Sequence, residues 1–141
     1  MINFLRGHIM LSEEIQQFIR VVPLAVVATT DDTGIPHLAL GTDLKHINGE
    51  LVFENWFCQT TLQNAARNPW VAVAVLKQDI GTGYQFIGKI VNTVDAAILD
   101  GYTPGEEAQG QPQVLTRLVV RVEEVLAFCS GLHNDLPLKL K

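Results

Sequence analysis

The chain carries little charge, and most of that charge is negative. Only 18% of its 141 residues are charged, and ten basic residues against fifteen acidic ones give a net charge of −5. The basic residues form no cluster. Because nucleic-acid binding depends on neutralising phosphates with Lys and Arg, a nucleic-acid partner is not expected. Hydrophobic residues make up 48%, so we expect some apolar surface to be covered by a second copy in a homodimer.

Cysteine and long apolar runs are scarce as well. Cys58 and Cys129 are too few for a disulfide framework or a metal site, and we interpret them as small apolar fillers. The four histidines show no spacing typical of metal ligands, so no metal is expected. No run approaches the ~18 apolar residues of a membrane-spanning helix, and the apolar run in residues 1–10 is too short for a signal peptide. These absences favour a cytoplasmic protein without a membrane partner.

The length of the chain predicts a single domain over residues 1–141 with a core of its own. Within it, we expect residues 1–10 to be an N-terminal extension and residues 130–141 to be a polar, flexible tail. The segment from Thr103 to Gln113 is rich in Pro, Gly, Glu and Gln, which predicts an exposed and mobile loop.

Short β-branched, apolar segments separated by turn residues run through most of the chain. They predict six strands, over residues 24–30, 36–46, 50–56, 70–77, 84–94 and 115–128. The second strand is expected to bend near Gly41, and Asn48-Gly49 is a strong hairpin signal. A short amphipathic helix capped by Ser12 is expected to end before Pro23. Six strands with short turns indicate a mainly β, antiparallel closed barrel.

The most informative segment is the polar turn from Gln59 to Asn64, which opens a helix predicted over residues 61–67. Free backbone N–H groups and the positive end of the helix dipole make such a turn an anion site. Thr60 and Thr61 add hydroxyl donors, and Gln59 and Asn64 add amide donors, so a phosphate is the expected guest. The alternative is that one of the two threonines only caps the helix.

Together with its neighbours, this turn resembles the FMN-binding split-barrel family, also called pyridoxamine-5'-phosphate-oxidase-like, and within it the small bacterial FMN-binding proteins. The resemblance covers residues 10–128 and rests on an ordered series of weak motifs. These are the strand, turn and strand of residues 24–38, the polar turn, the helix end at Asn68-Pro69, the segment Gly81-Thr82-Gly83-Tyr84, and Gly88. It implies a six-stranded antiparallel split β-barrel of Greek-key type with small helices. It also implies a homodimer with two FMN at the subunit interface.

The resemblance further implies where the cofactor lies. In such proteins the isoalloxazine ring rests against the second and third strands, largely through backbone groups, and the phosphate lies at the start of the following helix. The matching positions of this chain are Phe53, Glu54 and Asn55 beside the ring or ribityl chain, and Gln59, Thr60, Thr61 and Asn64 beside the phosphate. Trp70 offers a further aromatic surface, although we expect it to belong to the core.

The chain departs from the family at this phosphate turn. Most relatives carry Lys or Arg where Thr60 and Thr61 stand, whereas this chain has no basic residue between Lys45 and Arg67. A charged hydrogen bond contributes about 1.5–3 kcal/mol, so losing one weakens phosphate binding roughly ten- to a hundredfold. Glu54 adds a negative charge near the site unless it points outward.

Two functions are compatible with these residues. The first is an FMN-binding flavoprotein for electron transfer or flavin-dependent reduction of a small molecule, favoured by the polar turn and by Gly81-Thr82-Gly83-Tyr84. The alternative is a non-enzymatic binding or assembly module that has lost FMN, favoured by the missing Lys or Arg. A typical pyridoxamine-phosphate oxidase is not expected, because the C-terminal Arg and His segment of vitamin-processing members is missing. Electron donor, acceptor and substrate stay open, as does the choice among FMN, another flavin and a deazaflavin. His46 is a further candidate for contact with a cofactor edge.

Overall fold

A computed structural model describes residues 9–95 and 116–139 of the chain. In this part, two helices and seven strands follow one another in the order α1 (Glu13–Val21), β1 (Ala25–Thr30), β2 (Pro36–Gly41), β3 (Leu44–Ile47), β4 (Glu50–Trp56), α2 (Gln59–Arg67), β5 (Trp70–Lys77), β6 (Thr82–Asp95) and β7 (Thr116–Cys129). The strands form one antiparallel sheet in the order β2-β1-β5-β6-β7-β4-β3, which curls into a half-barrel. The mainly β split-barrel class is therefore confirmed.

The seventh strand arises because the predicted second strand is two strands. Asp43 has a φ of 58°, a left-handed conformation that turns the chain sharply between β2 and β3. Gly41 comes just before this turn, and a Cβ there would lie 2.6 Å from Cζ3 of Trp56. β2 pairs with β1 at one edge of the sheet, and β3 pairs with β4 at the other edge. The turn thus carries the chain from one edge of the half-barrel to the other.

Helix α1 forms as the sequence predicts. The Oγ of Ser12 accepts a hydrogen bond of 3.3 Å from the N–H of Ile15, which satisfies one of the free donors at the helix start. Ile15 and Ile19 lie one turn apart and are both buried. Phe18 on the same side meets the ring of Tyr84 edge to face, with centroids 5.1 Å apart. These contacts hold α1 against the inner surface of the sheet.

Two predicted turns are confirmed in detail. Asn48 and Gly49 have φ values of 52° and 82°, the conformation that a two-residue hairpin between twisted strands requires. In the turn between β1 and β2, Oδ1 of Asp31 accepts hydrogen bonds of 2.9 Å from the N–H of Ile35 and 2.8 Å from that of Thr33. The bond from Ile35, followed by those from Thr33, holds the pKa of the Asp31 carboxyl below its ordinary value.

The core lies on the inner face of the sheet. Its largest fully buried side chains include Trp56, Phe53, Phe86, Ile19, Leu51 and Leu118. The expectation that Trp70 belongs to this core is wrong, because it is 47% exposed and the ammonium group of Lys89 lies 4.9 Å from the centroid of its ring. No helix among the described residues is long and apolar enough to cross a membrane.

The predicted terminal and loop segments are described only in part. Most of the extension over residues 1–10 and the whole loop from Thr103 to Gln113 lie outside the described residues. The tail is exposed as far as residue 139, and the N–H of Leu138 donates a hydrogen bond of 2.8 Å to the carbonyl of Val125. The flexibility of the loop and of the tail stays a prediction.

Candidate functional site

The polar turn forms the start of α2, which begins at Gln59, two residues earlier than the sequence predicts. The N-cap residue is Cys58, whose side chain makes no capping hydrogen bond, and the first turn holds no acidic residue. Neither Thr60 nor Thr61 is therefore the cap. Because the first N–H groups of a helix have no partner within it, this start presents donors and a positive dipole end to an incoming anion.

The earlier start of α2 divides the four predicted phosphate residues between two faces. Gln59 and Thr60 are exposed at the helix start. Thr61 and Asn64 are three residues apart, so they share the opposite face and are buried against the sheet. The Nδ2 of Asn64 donates a hydrogen bond of 3.0 Å to Oγ1 of Thr29 in β1. Asn64 thus anchors α2 to the sheet instead of lining an open turn.

Two buried polar atoms under α2 have no hydrogen-bond partner among the described residues. They are Oγ1 of Thr61, a residue with 0% exposure, and Nδ1 of His37 in β2. His37 pairs in register with Thr29, and cross-strand partners point to the same side of a sheet, so both face α2. An unsatisfied buried polar atom costs roughly 1–3 kcal/mol. The region below α2 therefore offers unused hydrogen-bonding capacity to a polar ligand.

The sequence analysis did not assign His37 or Thr29 to this region. The available signal is their place in the alternation of β1 and β2: Thr29 follows the buried Val27 by two residues, which makes it inward-facing. The alternation does not reveal that α2 covers this point of the sheet, because that contact joins residues 35 positions apart.

A cleft of about 650 Å³ lies between α2 and the turn after β1 and is lined by Asp31, Asp32, Thr60, Gln63, Asn64, Ala66 and Arg67. The only cation among these residues, Arg67, is 2.9 Å from Oδ2 of Asp32 through its Nη1 atom. Both side chains are exposed, so this ion pair contributes at most roughly 1 kcal/mol. The cleft has room for a ligand, and the charges of Arg67 and Asp32 balance each other.

The predicted ring-binding segment lies at a β-bulge. Phe53 pairs with Leu118, and Trp56 pairs with Thr116, so β4 carries one residue more than β7 between these pairs. The ring of Phe53 is buried with its centroid 5.1 Å from that of Trp56, so its side chain belongs to the core. Bulges re-aim backbone groups, and this one comes directly before α2.

Glu54 and Asn55 form the bulge itself. Neither has a register partner among the described strands. The Oε1 atom of Glu54 lies 3.3 Å from Nε of Arg117, which compensates the negative charge that the sequence places near the site. The side chain of Asn55 is exposed.

The edge strand β2 meets this bulge. β2 pairs only with β1 in the described sheet, so its other edge carries unpaired backbone groups. Gly41 at the end of β2 lies under the ring of Trp56 at the end of β4, which brings the two elements together. Leu38 and Leu40 on β2 are 68% and 66% exposed. The end of β2 thus contacts the side chain that ends β4, while Leu38 and Leu40 lie on the outer face of the sheet.

The described part of the chain contains no group of three His, Cys, Asp or Glu residues that could hold a metal ion. The class that fold and site define is an antiparallel split barrel with a helix start that no side chain caps. Residues 11–129 match the family model described as Pyridoxamine 5'-phosphate oxidase, and the chain belongs to this family. The family resemblance inferred from the sequence is confirmed.

Solved structures share this fold. HupZ of Group A Streptococcus is 22% identical, with 89% of this chain and 99% of that chain covered and a TM-score of 0.63. A protein related to general stress protein 26 from Clostridium acetobutylicum is 15% identical, with 88% and 92% covered and a TM-score of 0.64. An F420 reductase is 21% identical, with 81% and 94% covered and a TM-score of 0.57. No curated protein sequence matches the chain.

Proposed function

We propose that this protein is an FMN-binding flavoprotein that serves electron transfer or the flavin-dependent reduction of a small molecule. The observation that carries the proposal is the uncapped start of α2 above the unpartnered hydroxyl of Thr61. It occupies the position where the family resemblance places the cofactor phosphate. Membership of the family and the likeness to an F420 reductase support a flavin-type cofactor. When bound, such a cofactor supplies one- or two-electron chemistry at its ring.

The residues of the site take separate roles in this proposal. The first N–H groups of α2, with the exposed side chains of Gln59 and Thr60, bind the phosphate. The backbone at Glu54 and Asn55 and the free edge of β2 offer donors and acceptors to the ring. Thr61 supplies its hydroxyl from the inner face of α2, and Asn64 acts by fixing the helix on β1.

A homodimer is part of the proposal, with the FMN sites at the subunit interface. An apolar face on the outer side of β2, β1 and β5 supports it: Leu40 pairs in register with Val26, and Leu38 pairs with Ala28. Leu38, Leu40, Val26 and Trp70 are all exposed in the single chain. Large exposed apolar surface is typical of an interaction site. Both cysteines are free, which supports a reducing compartment such as the cytoplasm.

The second candidate is a split-barrel binding or assembly module without FMN. It is favoured by the absence of a basic residue at the turn, since the nearest cation of the cleft, Arg67, is paired with Asp32. The two candidates differ in one property that is simple to observe, the affinity of the purified protein for FMN.

Two substitutions at the turn test the proposal. Thr60→Lys adds the charge that relatives carry, so the dissociation constant for FMN should fall at least about tenfold, as for one charge-assisted hydrogen bond. Leu132→Lys, at a fully exposed residue in the tail after β7, adds the same charge elsewhere and should have no such effect. Thr61→Val removes the unpartnered hydroxyl, so it should weaken FMN binding by about 1 kcal/mol without destabilising the free protein.

The measurement is a fluorescence titration of FMN with each variant, together with urea unfolding of the FMN-free proteins. Equal affinities of Thr60→Lys and Leu132→Lys would show that the phosphate does not lie at α2. If neither the wild type nor any variant binds FMN up to millimolar concentration, the flavoprotein proposal is wrong and the binding or assembly module is the better function.

A further inference from the structure

A second cavity lies away from α2, between α1 and β3. It has a volume of about 220 Å³ and is lined by Gln16, Ile19, Arg20, Lys45, His46 and Ile47. None of these residues is acidic, although acidic residues outnumber basic ones in the whole chain. The cavity shares no lining residue with the cleft along α2. It is therefore a separate place in the fold where basic, neutral polar and apolar side chains meet without an acidic one.

Among the residues that the structure describes, the positive charges at this cavity have no ion-pair partner. In residues 9–95 and 116–139, the ion pairs within 4.0 Å join Arg67 with Asp32, Arg117 with Glu54, and His133 with Asp135. Neither Arg20 nor Lys45 belongs to any of them.

The acidic residues on the same helix do not compensate the charge of Arg20. Glu13 and Glu14 stand in the first turn of α1 and Arg20 in the last, so they are separated by roughly 9 Å or more along the helix axis. At about that distance an exposed charge is largely screened. With respect to the described part of the chain, the guanidinium is therefore available to bind an anion at the cavity.

His46 adds a half-buried ring to the same cavity. It follows the buried Leu44 by two residues in β3, so its ring points inward toward α1. Its Nε2 atom is buried and has no hydrogen-bond partner among the described residues. Burial, and then the charge of Arg20, hold the pKa of His46 below its ordinary value, so the ring is neutral in the empty cavity. An oxygen acceptor at Nε2 would satisfy this atom and offset the repulsion from Arg20.

We propose that the cavity between α1 and β3 is a binding site for a small oxyanion of the carboxylate or phosphate class, held by Arg20 and by Nε2 of His46. Lys45 adds positive charge at the rim. The volume of about 220 Å³ is below the ~300–1,000 Å³ typical of pockets for drug-sized ligands. The site therefore admits a single oxyanion or the head group of a ligand, and not a whole nucleotide. It is independent of FMN binding at α2.

Binding of an anion at this place is coupled to the proton of His46. An anion stabilises the imidazolium form, so it should raise the pKa of His46, and the affinity for the anion should increase as the pH falls. The other charged side chains on the elements around His46 are Glu13, Glu14 and Arg20 on α1, Lys45 on β3, and Glu50 and Glu54 on β4. Of these, only Arg20 shifts the pKa of His46 in the free protein.

The test follows the imidazole signals of the full-length protein by NMR during titration with inorganic phosphate, at constant ionic strength maintained with chloride. The His46 signals should shift saturably and their titration midpoint should move upward, while those of the exposed His133 should not. Arg20→Gln should weaken phosphate binding at least about tenfold, as expected for a lost charge-assisted hydrogen bond. Arg67→Gln removes an exposed arginine at the other cleft and should leave the His46 response unchanged.

Acetate in place of phosphate separates the two classes of oxyanion, and a saturable His46 response to either one supports the site. No saturable response of His46 to phosphate or to acetate would overturn the proposal. The same holds if Arg20→Gln and Arg67→Gln reduce the response equally. Because the readout comes from His46, a failure here leaves the FMN proposal at α2 untouched, and the reverse is also true.

Discussion

Single buried polar side chains determine how α2 is fixed on the sheet. Asn64 is buried, and its Nδ2 atom donates to Oγ1 of Thr29 at 3.0 Å. One turn earlier, Thr61 is buried, and its hydroxyl has no hydrogen-bond partner in the part of the chain that the structure describes. The same helix face thus holds one satisfied polar group and one unsatisfied group, and the two groups should respond to substitution in opposite ways.

The first prediction concerns Asn64. Asn64→Ala removes the bond to Thr29 and leaves the buried hydroxyl of Thr29 without its donor, so the free energy of unfolding should fall by about 1–3 kcal/mol. The neighbouring Gln63 is exposed, and Gln63→Ala should change it by less than about 0.5 kcal/mol. Urea unfolding of the FMN-free variants measures both. Equal losses for the two variants would contradict the anchoring role of Asn64.

The sequence predicts the position of this site but not its side-chain directions. The hydroxyl-rich turn is visible in the sequence, and so is the helix that follows it. Which threonine points inward depends on where the helix begins, because a shift by two residues rotates every side chain by about 200°. With the start at Gln59, Thr61 is buried and Thr60 is exposed.

At the scale of elements, local patterns and long-range contacts contribute differently. The strands β4 and β5 follow β-branched, apolar segments, and their predicted bounds agree with the structure. The break between β2 and β3 depends on two aromatic rings that pack over Gly41 and on a left-handed Asp43. An Asp residue does not require a left-handed backbone. The sequence therefore predicts a bend near Gly41, but it does not predict that β2 and β3 lie at opposite edges of the sheet.

The turn between β1 and β2 should make stability depend on pH. Its hydrogen bonds hold the pKa of Asp31 below the ordinary value of 3.8, so the unfolded chain binds a proton that the folded chain does not. The stabilisation is present above about pH 3.8 and is lost as the pH falls through the lower folded pKa. Asp31→Ala should therefore destabilise the protein at neutral pH, and its difference from the wild type should shrink in acid.

Urea unfolding over a series of pH values measures this difference. Asp79→Ala, in the exposed turn after β5, is the control and should give no comparable loss at neutral pH. A loss for Asp31→Ala that is the same at pH 7 and at pH 3 would show that the ionised carboxylate does not hold the turn.

At the scale of the whole molecule, the outer face of β2, β1 and β5 should join two chains. Light scattering of the wild type at micromolar concentration should give about twice the chain mass of 15.5 kDa. Leu38→Glu places a charge in the apolar face and should yield a monomer, because an unpaired charge in an interface is strongly unfavourable. Ile80→Glu, at an equally exposed apolar residue in the turn between β5 and β6, should leave the dimer intact. A monomeric wild type would contradict both the homodimer and the location of the FMN sites at a subunit interface.

The central claim is that the start of α2 binds the phosphate of FMN, and riboflavin tests it most directly because it carries the same ring and ribityl chain without the phosphate. Fluorescence titrations of the wild-type protein with FMN and with riboflavin should be compared in the same buffer. Charged hydrogen bonds of about 1.5–3 kcal/mol predict that FMN binds at least about tenfold more tightly than riboflavin. Equal affinities for the two, or no binding of either up to millimolar concentration, would contradict the account.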